Sequence, residues 1–421
     1  MTTHHLQPVL IVLGAGDHAY RSFLLQEFAA RHRLVLLDDQ PPAWARPYVA
    51  EALAVDLHDH QAVARTVTEL ALRVPISGVT TYLEHHVELA AQLAQEHGLP
   101  GAAPEAVAAC RDKARTRRLL DEHAVPSARS VLVDSAQAAQ AAAESIGYPV
   151  VIKPRGLGGS TGVRRADDQT QVDALYREAA VATLDGLEER AVAGVMVEEY
   201  LRGPEISVEC AVRGRGDVHF AAITRKRLGA EPAFLETGHL VDAADPLLDD
   251  LELRRVVTAA ISAVGITSGI LHVEVRLTGS GPRIVEINAR LGGDLIPRLV
   301  QLATGVSLPQ AQAAMATGDR PDLEPSVRQS AAVEFCYPLV TGRIRNAQAA
   351  AVNADWLDRL VWTRRQGDHV NAGPRSTIHD RLAHAIVCGP TPATCQNRID
   401  RVLQHLTLSI TAPTLTTTCT R

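Results

Sequence analysis

The chain has 421 residues, enough for two or three domains that each bury a substantial interior. Its 46% hydrophobic and 21% charged residues describe a globular protein, not a disordered one. With 42 basic and 48 acidic residues the formal net charge is -6, which argues against nucleic acid as a partner and leaves a small molecule as the default.

The opening MTTHHLQPVLIVLGAGDHA lacks the basic region and apolar core of a signal peptide, and Val9–Leu13 is far too short to span a bilayer. No later segment reaches that length either, so no membrane partner and a cytoplasmic location are expected. Val9–Leu13 reads instead as a buried strand, followed by a tight turn at Gly14, Ala15 and Gly16 and a helix through Tyr20–Arg31. Leu34–Leu37 and Ile76–Val79 are further strands, and Glu84–His97 a helix, so residues 1–110 carry the βα rhythm of a helix-covered parallel sheet. GAGDHA is not GxGxxG, because Ala19 stands where the last glycine belongs; a nicotinamide-binding turn is disfavoured against a plain strand–helix turn. From about residue 111 the pattern becomes α+β: a charged helix over Asp112–His123, strands at Tyr148–Lys153, Val192–Glu199, Glu205–Val212 and Val218–Thr224, a helix near Asp250–Val264, and strands Leu271–Leu277 and Arg283–Asn288. A third region, 311–410, holds a strand at Ala331–Tyr337 and a helix from Pro392 to Leu406. The Thr- and Pro-rich residues 411–421 read as a flexible tail. Six cysteines, none in a CxxC pair, point to incidental thiols in a reducing compartment.

Three segments carry chemistry. Lys153-Pro-Arg-Gly-Leu-Gly-Gly-Ser-Thr-Gly162 offers a loop whose glycines, Gly158 and Gly159 among them, let backbone amides and the Ser160 hydroxyl approach phosphate oxygens, with Lys153 at the end of the preceding strand. It is not a Walker A loop, since no GKS/T closes it. In HVEVRLTGSGPRIVEIN, alternation sets His272, Glu274 and Arg276 on one strand face and Glu286 and Asn288 on one face of the next. Strands paired around TGSGP would bring the carboxylates and the Asn288 amide oxygen together, a set of oxygen donors suited to magnesium. The third segment, Glu198-Glu199-Tyr200-Leu201 followed by Glu205, could offer backbone groups to adenine and a carboxylate to ribose. It would serve equally as an ordinary strand edge.

Taken in order, Lys113, Lys153, the glycine-rich loop, Glu198–Leu201, Glu205, Glu274 and Glu286-x-Asn288 resemble the ATP-grasp superfamily. GHL…HVEVRL…VEINARLGGD resembles in particular the carboxylate–amine ligases that include bacterial L-amino acid ligases. The resemblance implies an ATP-grasp fold: a Rossmann-like α/β domain before the ATP-grasp unit (1–110), the nucleotide-binding and catalytic unit (111–310) and a small C-terminal portion (311–410). It implies ATP as cofactor with magnesium, or manganese as a substitute, and compatibility with a homodimer. Lys113 and Lys153 would contact phosphates, Glu198, Glu199, Tyr200 and Leu201 would line the adenine pocket, and Glu199 or Glu205 would lie near ribose. Glu274, Glu286 and Asn288 would bind the metal, and Arg290 would steady the transferred phosphoryl group. The substrate side would draw on Glu84, Lys226, Glu236, Arg276 and Gly293. Glu84 or Glu236 would attract an ammonium, and Arg276 would hold a carboxylate or balance Glu274. The reaction implied joins a small carboxylate, activated as an acyl phosphate, to an amine. Open alternatives are a purine-pathway ligase with a different carboxylate and a protein that binds ATP without ligating anything.

Overall fold

The protein is described here as a computed structural model covering residues 7–183, 193–231, 234–349, 352–373 and 376–411. The first strand, Val9–Leu13, is buried at every position because helices cover both faces of its sheet. Its partners are parallel, and the four strands run in the order Glu51–Ala54, Arg33–Asp38, Val9–Leu13, Ile76–Thr80. Gly14 and Gly16 turn the chain with φ of +73° and +71° into the helix His18–Ala29, whose N-cap Asp17 accepts from the Ala19 amide. A Cβ at Gly14 would lie 2.5 Å from Leu83 Cδ1, so glycine is what lets the turn at Leu83–His86 come this close.

Two helices then meet at Asp112. Its extended backbone ends Pro104–Arg111, a helix not expected from the sequence, and its carboxylate caps Lys113–Glu122 by accepting from the amides of Ala114 and Arg115. Beyond them lies a four-stranded antiparallel sheet in the order Ser130–Val133, Val195–Glu199, Val150–Pro154, Arg164–Ala166. The helices Ala136–Ile146 and Gln169–Ala180 cover it, giving this lobe a core of its own around Ala143, Val150, Ile152, Val172 and Val197.

The largest element is an eight-stranded sheet ordered 281–288, 269–278, 205–212, 218–228, 236–242, 330–336, 383–389, 357–362. It crosses residue 310 without interruption, because Glu236–Asp242 pairs antiparallel with Ser330–Cys336. The strand expected at Val218–Thr224 runs on to Leu228 and so carries Lys226 along the sheet. Helices Ile296–Thr304 and Leu308–Ala316, not expected from the sequence, pack in a core that joins Leu10 and Phe28 of the first sheet to Ala222, Val333, Phe335 and Ile386 of the large one. Near the end, the helix starting at Pro392 stops at Leu403, and Leu406–Thr411 is a strand of a separate three-stranded sheet. Val192, where one expected strand began, and the expected tail beyond Thr411 lie outside the described residues. Among the described residues no helix is long and apolar enough to cross a membrane.

Candidate active site

One face of the large sheet carries a polar stripe produced by register. The hairpin pairs Glu274 with Glu286 and His272 with Asn288, and on its other side Glu274 faces Ser207, His272 faces Glu209 and Arg276 faces Glu205. Residues opposite one another project to the same face, so the period-2 pattern in the sequence becomes a cluster in space. Lys226 reaches into it with its side chain almost wholly buried, 2.5 Å from Glu274, 2.8 Å from Glu236 and 3.3 Å from Glu205. Burial alone would lower the Lys226 pKa, but the three carboxylates outweigh it and hold the ammonium well above its ordinary value. Glu274 is correspondingly held well below the carboxylate range, against the upward push of burial, by Lys226 and His272. His272 in turn contacts the fully buried Glu209 at 2.9 Å, and that partner outweighs desolvation to raise the imidazole to about 9. A Cβ at Gly292 would come within 3.0 Å of both Glu209 and His272, which explains a glycine at that position.

The second wall of the cleft is the small sheet. Lys153 and Glu198 lie diagonally across paired strands and form a buried ion pair of 2.6 Å. Arg117, from the helix Lys113–Glu122, completes it with bonds of 2.9 and 3.1 Å to Glu198 and a third to the carbonyl of Val285. Burial pushes the Glu198 carboxyl up, yet Arg117 and Lys153 bring it down to about 2. Burial together with Arg117 and Lys113 lowers the pKa of Lys153 despite Glu198. Lys113 donates to the Leu157 carbonyl at 2.6 Å and to Glu286 at 2.9 Å, tying the glycine-rich loop to the hairpin. In that loop Gly159, Ser160 and Gly162 all have positive φ, and a Cβ at Gly159 would touch Ile378. Glu199 points elsewhere, toward Arg129 and Arg283. Tyr200 bonds Glu231 and lies beneath the Arg165 guanidinium, while Leu201 is buried.

At the third wall Arg290 pairs with Glu84 on the turn after the fourth parallel strand, and Arg111 holds the same carboxylate at 2.6 Å. Burial raises the Glu84 carboxyl, but the two guanidiniums override it and hold it down to about 2. Asp294 is gripped through both oxygens by Arg381, at 2.7 and 2.5 Å, with His239 at 3.5 Å.

The structure thus brings Lys113, Lys153, Glu198, Glu205, Lys226, Glu236, Glu274, Arg276, Glu286, Asn288, Arg290 and Glu84 into neighbouring ion pairs and strand registers. Arg276 balances Glu205, not Glu274, at 2.8 Å. Around Gly158 and Gly293 a Cβ would meet nothing within 4 Å, so both positions border open space. Arg117, Glu209, His239, Asp294 and Arg381 were missed by sequence reasoning. His239 and Asp294 lie within the GHL and VEINARLGGD segments already singled out, and Glu209 in the alternation of Glu205, Ser207 and Glu209 along one strand; Arg117 and Arg381 had no local signal. Two sets of carboxylate and imidazole atoms lie close enough to share a cation, Glu205/Glu236/Glu274 and Glu236/His239/Asp294. Glu274 and Glu286, opposite one another with Asn288 two residues on, also supply hard oxygen donors; this donor chemistry fits magnesium.

Known families and solved structures supply relatives of the whole chain. The family described as ATP-grasp domain matches residues 146–298, and that described as ATP-grasp N-terminal domain matches 29–101. The chain is 30% identical over 321 residues to the phosphoribosylamine–glycine ligase of Phenylobacterium zucineum, covering 70% of this chain and 73% of that protein. It is 29% identical over 421 residues to carnosine synthase 1 of Gallus gallus, covering 94% of this chain but only 44% of that longer protein. The crystal structure of an L-amino acid ligase from Bacillus licheniformis superposes with a TM-score of 0.78 at 20% identity, over 96% of this chain and 99% of that one, and so shares its fold. The family matches and the sequence relatives lead to one assignment: the chain belongs to the ATP-grasp family.

Proposed function

We propose that the protein is an ATP-dependent carboxylate–amine ligase that joins amino acids, or a small carboxylic acid and an amino acid, releasing ADP and phosphate. The observation that carries this reading is the hairpin register, which sets Glu274 opposite Glu286 on the face that also holds Lys226 and lies beside Arg290. Relatives named for amide-forming ligations support it.

In this reading ATP occupies the cleft between the small sheet and the hairpin. Lys153 and Lys113 address its phosphates, the 156–162 loop covers them, and the backbone of Glu198–Leu201 borders the adenine. Glu274, Glu286 and Asn288 would hold magnesium, which would supply charge neutralisation at the transferring phosphoryl group. Lys113 and Lys226, which neutralise those carboxylates here, then turn toward phosphate and substrate oxygens. A substrate carboxylate attacks the γ-phosphorus and ADP leaves; Arg290 stabilises the charge on the acyl phosphate. The amine then attacks the carbonyl carbon, phosphate departs, and the amine proton passes to solvent or to a nearby base. Closing the loop over the intermediate keeps water from hydrolysing it. Glu236 is the carboxylate best placed for a donor ammonium, because Glu84 already satisfies two arginines.

The test is incubation with ATP, magnesium and pooled natural amino acids, reading ADP, phosphate and new amides by mass spectrometry. A dipeptide formed with equimolar ADP and phosphate is expected. ADP release that no amino acid stimulates would overturn the amino-acid reading. It would favour the alternative of a ligase that activates a carboxylate other than an amino acid.

A further inference from the structure

The glycine turn after the first strand places one side chain beside Glu84 and Arg290. Arg21 sits in the first turn of the helix His18–Ala29, its amide bonded to the Asp17 carbonyl at 2.8 Å. The stem of its side chain packs over Gly16, where a Cβ would come within 3.0 Å of both Arg21 Cγ and Leu83 Cδ2. Arg21 therefore runs alongside the turn that carries Glu84, the partner of Arg290. Its guanidinium lies within electrostatic reach of Arg290, Asp294, Tyr82 and His85.

The carboxylates of this corner are already taken. Glu84 is shared by Arg111 and Arg290, Asp294 by Arg381 and His239, and Asp17 is the helix cap. Arg290 spends its Nε on Glu84 and its Nη1 on the Leu291 carbonyl. Among the described residues Arg21 makes no side-chain hydrogen bond or ion pair, although it is only partly open to solvent. Two like charges brought close in a protein cleft repel each other unless an anion intervenes. A guanidinium presents a planar fork that matches a carboxylate in particular.

We propose that Arg21 binds the carboxylate of the amine substrate, so that the acceptor is an amino acid and not a simple amine. The inference rests on the ligase reading above and deepens it. Arg290 keeps its place at the acyl phosphate, and Arg21 sets the nucleophile beside it by its far end. The N-terminal domain thereby contributes a specificity-determining residue to a reaction otherwise run by the rest of the chain.

The experiment separates the two half-reactions. Hydroxylamine, a small nucleophile without a carboxylate, traps the acyl phosphate as a hydroxamate and reports its formation; amide formation with an amino acid reports the acceptor. R21A is expected to raise KM for the amino-acid acceptor at least tenfold and to abolish the preference for that acceptor over its carboxamide. Hydroxamate formation and KM for ATP should stay within about twofold of wild type. R21K should restore part of the preference, and an unchanged melting temperature excludes a folding defect. An equal loss of hydroxamate and amide in R21A would overturn the proposal by placing Arg21 on the donor or the phosphates. So would an unaltered preference for the free acid. If wild type yields no hydroxamate with any carboxylate tried, the ligase reading itself fails and this proposal falls with it; that result is recognisable because it precedes any variant.

Discussion

Glu198 shows how a single residue can be legible in type and illegible in role. The sequence marks it as a carboxylate closing an apolar strand near the nucleotide. It cannot announce that Arg117, 81 residues earlier, holds it in a two-point clamp with Lys153. The same limit hides Arg381 and Asp294, 87 residues apart, whereas Glu274 and Glu286 were legible because strand alternation and a short turn are local. The buried clamp also has a pH signature. The Glu198 carboxyl, ordinarily near 4.5, is held at about 2 in the folded protein, so its stabilising contribution is complete above about pH 4.5 and is lost as the pH falls toward 2. Replacing Glu198 with Gln leaves Arg117 and Lys153 without their counter-charge and is expected to cost about 3–5 kcal/mol at pH 7. Urea denaturation should find that deficit shrinking at pH 3. A gap of equal size at both pH values would mean that the ion pair does not govern stability here.

At the scale of elements, the glycine-rich loop separates two reasons for having glycine. Gly162 has φ of +67°, and a Cβ there would sit 2.8 Å from Ala182 Cβ and 2.9 Å from Pro154 Cγ. Gly158 has neither constraint; its missing Cβ faces open space. G162A is therefore expected to lose about 1–2 kcal/mol of stability, from the left-handed backbone alone, before crowding is counted. G158A should keep the wild-type melting temperature. If the loop cradles phosphates, G158A should nevertheless weaken ATP binding, since a methyl group would intrude where backbone amides meet oxygen. Calorimetric melting and an ATP titration of the two variants distinguish a glycine kept for the fold from one kept for the ligand; equal melting temperatures for both would remove the distinction. The loop's composition was visible in the sequence, and so was Lys153 before it. Its tether was not: Lys113 joins it to Glu286 across a gap of 173 residues.

Across the whole molecule, fold class was legible because long apolar strands and capped helices repeat their periods locally. The connection between regions was not, because it depends on which strand edge pairs with which. The large sheet continues from the hairpin through Ser330–Cys336 to the C-terminal strands, and one core joins the first parallel sheet to it. The small sheet over 130–199 stands apart with its own core and is held to the remainder chiefly by polar contacts: Arg117–Glu198, Arg155–Asp112, Lys113–Leu157 and Arg283–Glu199. Arg155–Asp112 and Arg283–Glu199 are partly open to water, and polar contacts of that kind open more readily than a shared apolar core, so this lobe should have lower local stability than the body. A nucleotide bridging Lys153 on the lobe and the hairpin on the body would add attraction only in the closed arrangement. At one hundred times its dissociation constant it stabilises the bound state by about 2.7 kcal/mol. Hydrogen exchange followed by mass spectrometry should therefore show amides of Val150–Pro154 and Gln169–Ala180 slowing on addition of ATP and magnesium, while Val9–Leu13 and Ser330–Cys336 keep their already slow exchange. Uniform slowing throughout the chain would mean that lobe and body open as one unit, and that the polar seam between them is not where the protein gives way.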